Sequence, residues 1–268
     1  MQRAERIVAT ILGCGSSGGV PRVGGHWGVC DPDNPKNRRR RCSLLIEGWS
    51  KDEAHPTRIL VDTGCDLREQ LLDAEVDRVD AVIYTHEHAD HTHGIDDLRA
   101  ISGRRGSLAV YGAADTLARL GARFPYIFDA RIRPQPGTSK PELVAQPLAP
   151  LVPTTIAGLP VLPLPVPHGD MTVFGFRIGA LGYVTDAKRV DPDVIAALRG
   201  VRVLVVNALF DRPHPTHLSI DEAVAVGRAV GAARTVLTHL THRHSHAALA
   251  ARLPEGVEPA HDGLTIAF

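Results

Sequence analysis

The 268-residue sequence has no excess of either charge: Lys+Arg 30 stands against Asp+Glu 30, a formal net charge of zero. A protein that grips nucleic acid by its overall field needs a positive surplus, so that class is not favoured. No apolar run approaches the roughly 20 residues that cross a bilayer, so no membrane partner is expected. The cysteines Cys14, Cys30, Cys42 and Cys65 are scattered, with no CxxC pair. Their spacing argues against a disulfide scaffold and for free thiols in a cytoplasmic protein. The opening stretch, "MQRAERIVATILGCGSSGG", has only a short apolar part before its glycines. It reads as a first strand rather than a signal peptide.

What the sequence does have is histidine, 14 copies, many of them clustered. In "VIYTHEHADHTHGIDDLR" (Val82 to Arg99), four imidazoles and Asp90 fall within eight residues, directly after an apolar run. Strand-like runs recur in "RIVATILGC", "CSLLIEG", "TRILVDTG", "SLAVYG", "VRVLVVNA", "ARTVLTH" and "DGLTIAF". Helical spacing appears in "CDLREQLLDAEVD", "AADTLARLGARF", "DPDVIAALRG" and "SHAALAARLP". In "SIDEAVAVGRAVGA", Ser219 followed three residues later by Glu222 predicts a capping box. "TVFGFRIGALGYVTD" reads as a hairpin. Residues 131–167 are proline-rich, which argues against central strands there. The two halves suggest one repeated strand-and-helix plan, without sequence similarity strong enough to establish it.

The polar residues fall where such a fold collects its chemistry. Asp62, His86, Asp186 and His239 each sit just past an apolar strand-like run. His86 and His88, two apart in an extended loop, can converge on one cation. Asp90 and His91 can serve a second beside it. Imidazole with carboxylate suits zinc, iron or manganese better than calcium or magnesium. Further ligands must come from distant segments, and His168 in "VPHGD", Asp186 in "YVTD" and His239 in "VLTH" are the candidates.

"HEHADH", after "VDTG" and before single His, Asp and His positions, resembles the metallo-β-lactamase fold superfamily. Within it, "LGCGSSGGVPR", "RRCSLLIE", "DHTHGIDDLR", "LTHLTH" and "DGLTI" resemble the phosphoribosyl cyclic phosphate phosphodiesterases. The resemblance runs over nearly the whole chain. It implies an α/β fold, a four-layer αββα sandwich, as one hydrolase domain over residues 1–268. It implies two divalent metal ions, manganese or zinc: one on His86, His88 and His168, the other on Asp90, His91 and His239, with Asp186 bridging. Asp62 matches the carboxylate that orients the ligands; as the turn residue of "DTG" it would need no such role. His217 in "HPTHLS" matches the general acid, with His214 as a competitor. The implied reaction is in-line attack of a metal-activated hydroxide on a small cyclic phosphate or nucleotide diester, with a protonated His217 feeding the leaving alkoxide.

Where the relatives carry a cysteine-rich structural zinc loop, "HWGVCDPDNP" offers Cys30 alone, so that zinc is expected to be missing. Cys42 and Cys65 are expected as buried thiols, Arg99 as an ion-pair partner, and His244 and His246 at the surface or an interface. The run Arg38 to Arg41 is either a solvated loop or a phosphate-binding edge. A homodimer is compatible with the sequence. The alternatives are a tRNA 3′-processing endonuclease, which would want a long arm or a strongly basic surface, and a thioester or lactone hydrolase on the same fold. A diiron redox relative would offer a glutamate where His88 stands.

Overall fold

The structure is a computed structural model that describes residues 6–50 and 55–268, the side chains at 104 and 105 apart. Residues 1–5 of the expected first strand therefore lie outside the described residues. In chain order the first strands are β1 (Arg6–Gly13), β2 (Ser43–Trp49), β3 (Thr57–Val61), β4 (Ala81–Ile83), β5 (Leu108–Gly112) and β6 (Leu143–Pro147). They are followed by β7 (Thr154–Ile156), β8 (Leu159–His168), β9 (Met171–Ile178), β10 (Leu181–Val184), β11 (Val203–Asn207), β12 (Arg234–Thr238), β13 (Val257–Pro259) and β14 (Thr265–Ala267). They form two seven-stranded sheets, ordered β14-β1-β2-β3-β4-β5-β6 and β7-β8-β9-β10-β11-β12-β13.

Both sheets follow one plan. Counted from β14 and from β7, three antiparallel pairings are followed by three parallel ones. The repeat suggested by the sequence is therefore present in the backbone, with the last strand returning to complete the first sheet.

Alternation along the strands builds the layers. In β2, Leu44 and Ile46 enter a core shared with Phe176, Tyr183 and Val205 of the other sheet. Leu45 between them faces outward, onto α1 (Leu67–Asp73) through Leu67 and Leu71. The short α2 (Ala89–Thr92) and α3 (Arg99–Arg105) follow, and then α4 (Ala114–Arg123) and α5 (Pro125–Phe128). Leu117 and Leu120 of α4 join that outer layer. On the second sheet, Val203 and Val205 point inward, while Leu204 and Val206 face α6 (Pro192–Leu198), α7 (Ile220–Val230) and α8 (His246–Arg252). Strands covered on both faces read as unbroken apolar runs, as parallel strands should. Each fully buried Leu, Ile or Val contributes about 1.5–3 kcal/mol. The result is the expected αββα sandwich. The Ser219–Glu222 capping box forms at the start of α7.

One expectation fails at β8, which carries four prolines and still pairs with β7 and β9 on its two sides. The reason is spacing. Pro163, Pro165 and Pro167 recur every second residue, so all three missing amides point the same way. The three-residue β7 pairs only Leu159, Pro160 and Val161, leaving the later prolines no ladder to break on that side.

Candidate metal centre

Parallel strands place their ends together. β3 and β4 run parallel, β10, β11 and β12 run parallel, and β8 and β10 are both antiparallel to β9. The loops that leave these strands therefore gather along one edge of the sandwich. Every site residue expected from the sequence lies there. Asp62 follows β3, and His86 and His88 follow β4. Asp90 and His91 sit on α2, and His168 ends β8. Asp186 follows β10, His217 precedes α7, and His239 follows β12.

Three of these residues hold a left-handed backbone: Asp62 (φ 62°), Asp186 (φ 57°) and His239 (φ 58°). For a residue with a Cβ this costs about 1–2 kcal/mol. Each turn is clamped by its neighbours, Asp62 N–H donating to Ile83 O at 3.0 Å, Ala187 N–H to Asn207 Oδ1 at 2.8 Å and Leu240 N–H to Cys14 O at 2.8 Å. The strain turns the side chain from the strand line into the edge. Gly64 has a steric purpose, since a Cβ there would lie 2.3 Å from the Asp90 carbonyl oxygen.

Asp186 stands at the middle. Its Oδ2 is 3.7 Å from His86 Nε2, 3.6 Å from His91 Nε2, 3.9 Å from His168 Nε2 and 3.5 Å from His217 Nε2. Its Oδ1 is 3.3 Å from His239 Nε2 and accepts from Thr185 Oγ1 at 2.6 Å. His86, His88, His168 and Asp186 form one group with metal-ligand spacing; Asp90, His91 and His239 form a second, and Asp186, His217 and His239 a third. The sequence-based sets of three and three, with Asp186 between, are thus the sets brought together.

The rings are aimed from behind. His91 Nδ1 lies 2.7 Å from Asp62 Oδ2. Thr85 gives Asp62 its backbone N–H at 2.8 Å and its hydroxyl at 2.7 Å, and that hydroxyl lies 2.9 Å from His86 Nδ1. One buried carboxylate therefore orients a ring from each set, one directly and one through Thr85. His168 Nδ1 is held by the Thr216 carbonyl at 3.0 Å. Thr216 Oγ1 also lies 2.7 Å from His217 Nδ1 and 3.1 Å from His214 Nδ1. His217, not His214, reaches Asp186. Thr85 and Thr216 were missed in the sequence. Their signal was the dipeptide Thr-His, repeated at Thr85–His86, Thr216–His217 and Thr238–His239.

The electrostatics fit a cation. Burial drives His86 well below its ordinary pKa, with help from the His91 charge, and burial takes His239 down to about 4. Burial also lowers His168. These rings keep a free lone pair at neutral pH. Burial pulls His91 down too, yet Asp186 and Asp62 outweigh it and carry the ring up to about 10. Burial opposes the charge on Asp186, but His239 and His91 hold it well below the usual carboxylate range. Burial raises Asp62. The Nε2 atoms of His91, His217 and His239 are buried without a hydrogen-bond partner. Such orphans cost about 1–3 kcal/mol each unless a partner meets them. Divalent metal is what this donor set suits.

Other expectations divide. Arg99 pairs with Asp96 at 2.6 Å, and Cys42 is buried. Cys65 is exposed rather than buried, because it lies in the turn that leads into α1. His244, expected at the surface or an interface, is buried within the chain, packed between the Cys30 and Asp211 segments. The run Arg38 to Arg41 is no single basic edge. Its extended backbone alternates the side chains: Arg38 is exposed, Arg39 is buried on the Thr241 carbonyl at 2.6 Å, Arg40 pairs with Asp73 and Asp262, and Arg41 pairs with Asp66. No helix among the described residues is long and apolar enough to cross a membrane.

Known proteins share this fold. Residues 57–240 match the β-lactamase superfamily domain. A crystal structure of a diphosphatase from the PhnP family superposes with a TM-score of 0.87 at 32% identity, covering 98% of this chain and 97% of that one. An octanoyltransferase of Porphyromonas gingivalis is 39% identical over 259 residues, 95% of this chain. The chain spans only 50% of that protein's length, so the activity in its name belongs to a protein twice as long. A ribonuclease Z of Bradyrhizobium diazoefficiens is 26% identical over 273 residues, covering 78% of this chain and 87% of that protein. The chain belongs to the metallo-β-lactamase superfamily, as a hydrolase-fold member related to its PhnP-type phosphodiesterases.

Proposed function

We propose that the protein is a dinuclear metal-dependent phosphodiesterase that opens a small cyclic phosphate or nucleotide diester. The observation that carries this reading is the Asp186 carboxylate, set between two ligand groups with five imidazole Nε2 atoms 3.3–3.9 Å from its oxygens. His86, His88 and His168 would hold one ion, Asp90, His91 and His239 the other, and Asp186 both. Two divalent ions, manganese or zinc, supply Lewis-acid pull on a phosphoryl oxygen and acidify water at neutral pH.

The chain's own residues do the rest. Asp62, directly at His91 and through Thr85 at His86, fixes two rings in the tautomer that presents Nε2 to the centre. His217 presents Nε2 to the same edge while Thr216 Oγ1 holds its Nδ1. From there it can pass a proton to the departing alkoxide, which needs one if it is a poor leaving group. His214 supports His217 through Thr216 and does not reach the centre. The PhnP-family diphosphatase favours phosphate chemistry by its overall likeness. The zero net charge is one reason to place a small molecule ahead of tRNA. A cytoplasmic location and a small phosphodiester partner belong to the same reading.

The test is hydrolysis of bis(p-nitrophenyl) phosphate, a ribose cyclic phosphate and an octanoyl thioester by protein of measured metal content. Diester turnover that vanishes in Asp186→Ala is the expected result. Thioester turnover alone, with two ions bound, would keep the ligand sets and overturn the substrate class.

A further inference from the structure

Four of the five imidazoles around Asp186 are held at their far nitrogen. His86 Nδ1 meets the Thr85 hydroxyl, His91 Nδ1 the Asp62 carboxylate, His168 Nδ1 the Thr216 carbonyl and His217 Nδ1 the Thr216 hydroxyl. His239 is the exception. Both of its ring nitrogens are buried with no hydrogen-bond partner among the described residues. A metal ligand needs its ring fixed, and a partner at the second nitrogen is the usual means. For His239 the direction has to come from the main chain, which holds it at φ 58°.

That main chain has no helix or strand between β12 and α8. Its shape is imposed by the irregular segment between β1 and β2. Leu240 N–H donates to Cys14 O at 2.8 Å, and Ser16 N–H donates back to Leu240 O at 3.1 Å. Arg39 Nη1 donates to Thr241 O at 2.6 Å, Val29 N–H to His242 O at 3.0 Å and Cys30 Sγ to His244 O at 3.4 Å. Four of the five carbonyls from Leu240 to His244 are thus taken by donors from this one strap. The two chains lie so close that a Cβ at Gly28 would stand 2.3 Å from the His242 oxygen.

Arg39 stands apart from the other donors, which are main-chain amides and a thiol. It is a full charge at 1% exposure, with no acidic partner among the described residues. Its Nη1 makes the Thr241 bond and lies 3.9 Å from Cys30 Sγ, while Nε and Nη2 have no partner. Burying a cation on so few contacts is costly. Its three neighbours in the run avoid that cost, Arg38 by exposure and Arg40 and Arg41 by pairing with acids. What Arg39 supplies is reach and a rigid planar fork, which together fix one carbonyl across the gap between strap and loop. That carbonyl belongs to Thr241, two residues past His239.

We propose that Arg39 is the positioning residue of the second ligand set: through the Thr241 carbonyl it fixes the backbone that aims His239. It does for His239 what Asp62 does for His91, acting on the main chain instead of on the ring. The proposal rests on the two-ion reading for the metals and on the Arg39–Thr241 contact for the positioning.

The experiment measures bound metal per chain and stepwise cobalt(II) affinity in Arg39→Ala, Arg39→Lys and, as a control, Arg38→Ala. Arg39→Ala should keep one ion as tightly as the wild type and bind the other about 10- to 100-fold more weakly, the range for losing an orienting partner. Free guanidinium, below denaturing concentration, should restore the second ion in Arg39→Ala, and sodium chloride at equal ionic strength should not. Arg39→Lys should recover part of the affinity, and Arg38→Ala should match the wild type. If Arg39 serves stability alone, the melting temperature falls while both ions bind as before. That result, or equal weakening of both ions, overturns the proposal. Should Arg39→Ala not fold, Arg39→Met keeps the packing of the stem, removes the charge and donors, and is read the same way. A wild-type protein holding fewer than two ions would count against the two-ion reading. Amide exchange in the metal-free protein then decides Arg39: protection lost at Ser16 and Leu240 in the variant, with β2 unchanged, supports it, and unchanged protection refutes it.

Discussion

Asp62 and Asp186 occupy the same place in the two halves of the molecule. Each follows the fourth strand of its sheet, β3 in one and β10 in the other, counted from β14 and from β7. Each is buried, each takes a left-handed backbone, and each adjoins a threonine. Their surroundings differ. Asp62 meets three protein donors, from Thr85 N–H, Thr85 Oγ1 and His91 Nδ1. Asp186 has one, from Thr185, and otherwise faces imidazole Nε2 atoms. The repeated backbone supplies an inward-turned carboxylate twice. The opposing loop decides whether that carboxylate is an anchor, saturated by the protein, or a ligand that still wants a cation.

The sharpest way to break this comparison is to neutralise both positions in turn. Asp186→Asn should leave no diester turnover above background and lower the bound metal, because one carboxylate serves both sets. Metal analysis beside an activity assay reads both. His217→Ala should keep the metal and slow turnover of an unactivated diester by about 10²- to 10⁴-fold. His214→Ala should cost less than about tenfold; a reversed order would move the acid to His214. Asp62→Asn should fold and bind metal about 10- to 100-fold more weakly, the usual cost of losing an orienting partner. Equal losses from Asp62→Asn and Asp186→Asn in metal titrations would erase the distinction. The last prediction concerns pH. His91 is carried up to about 10, so below that value a cation must displace its proton. Apparent metal affinity should therefore fall as pH falls, by up to about tenfold per unit. A flat profile between pH 8 and 6 would show that metal binding displaces no proton from His91.

Much of this edge was legible because strand ends are punctuated. "VDTG", "YTHEHADH", "YVTDA" and "VLTH" each pass from an apolar run to a polar residue, and that change locates Asp62, His86, Asp186 and His239 without knowledge of the pairing. What could not be read depends on spatial neighbours. Nothing local says that the Thr85 hydroxyl lies between His86 and Asp62, or that Arg39 turns inward while Arg38 and Arg40 do not. A run of four arginines looks like one patch in a string of letters, but on an extended backbone it is divided between opposite sides. The prolines of β8 misled for a related reason: their every-second-residue spacing matters only once β7 is known to stop short.

The ligand sets also have a mechanical meaning. His86, His88, Asp90 and His91 hang from the first sheet, and His168, Asp186 and His239 from the second. A cation pair shared between them would rivet two slabs that otherwise meet through apolar contact. Removing the rivet should loosen the seam at that edge first. In hydrogen exchange, the amides of Thr85 and Ala208, which bond across neighbouring loops there, should lose protection in chelator well before those of β2.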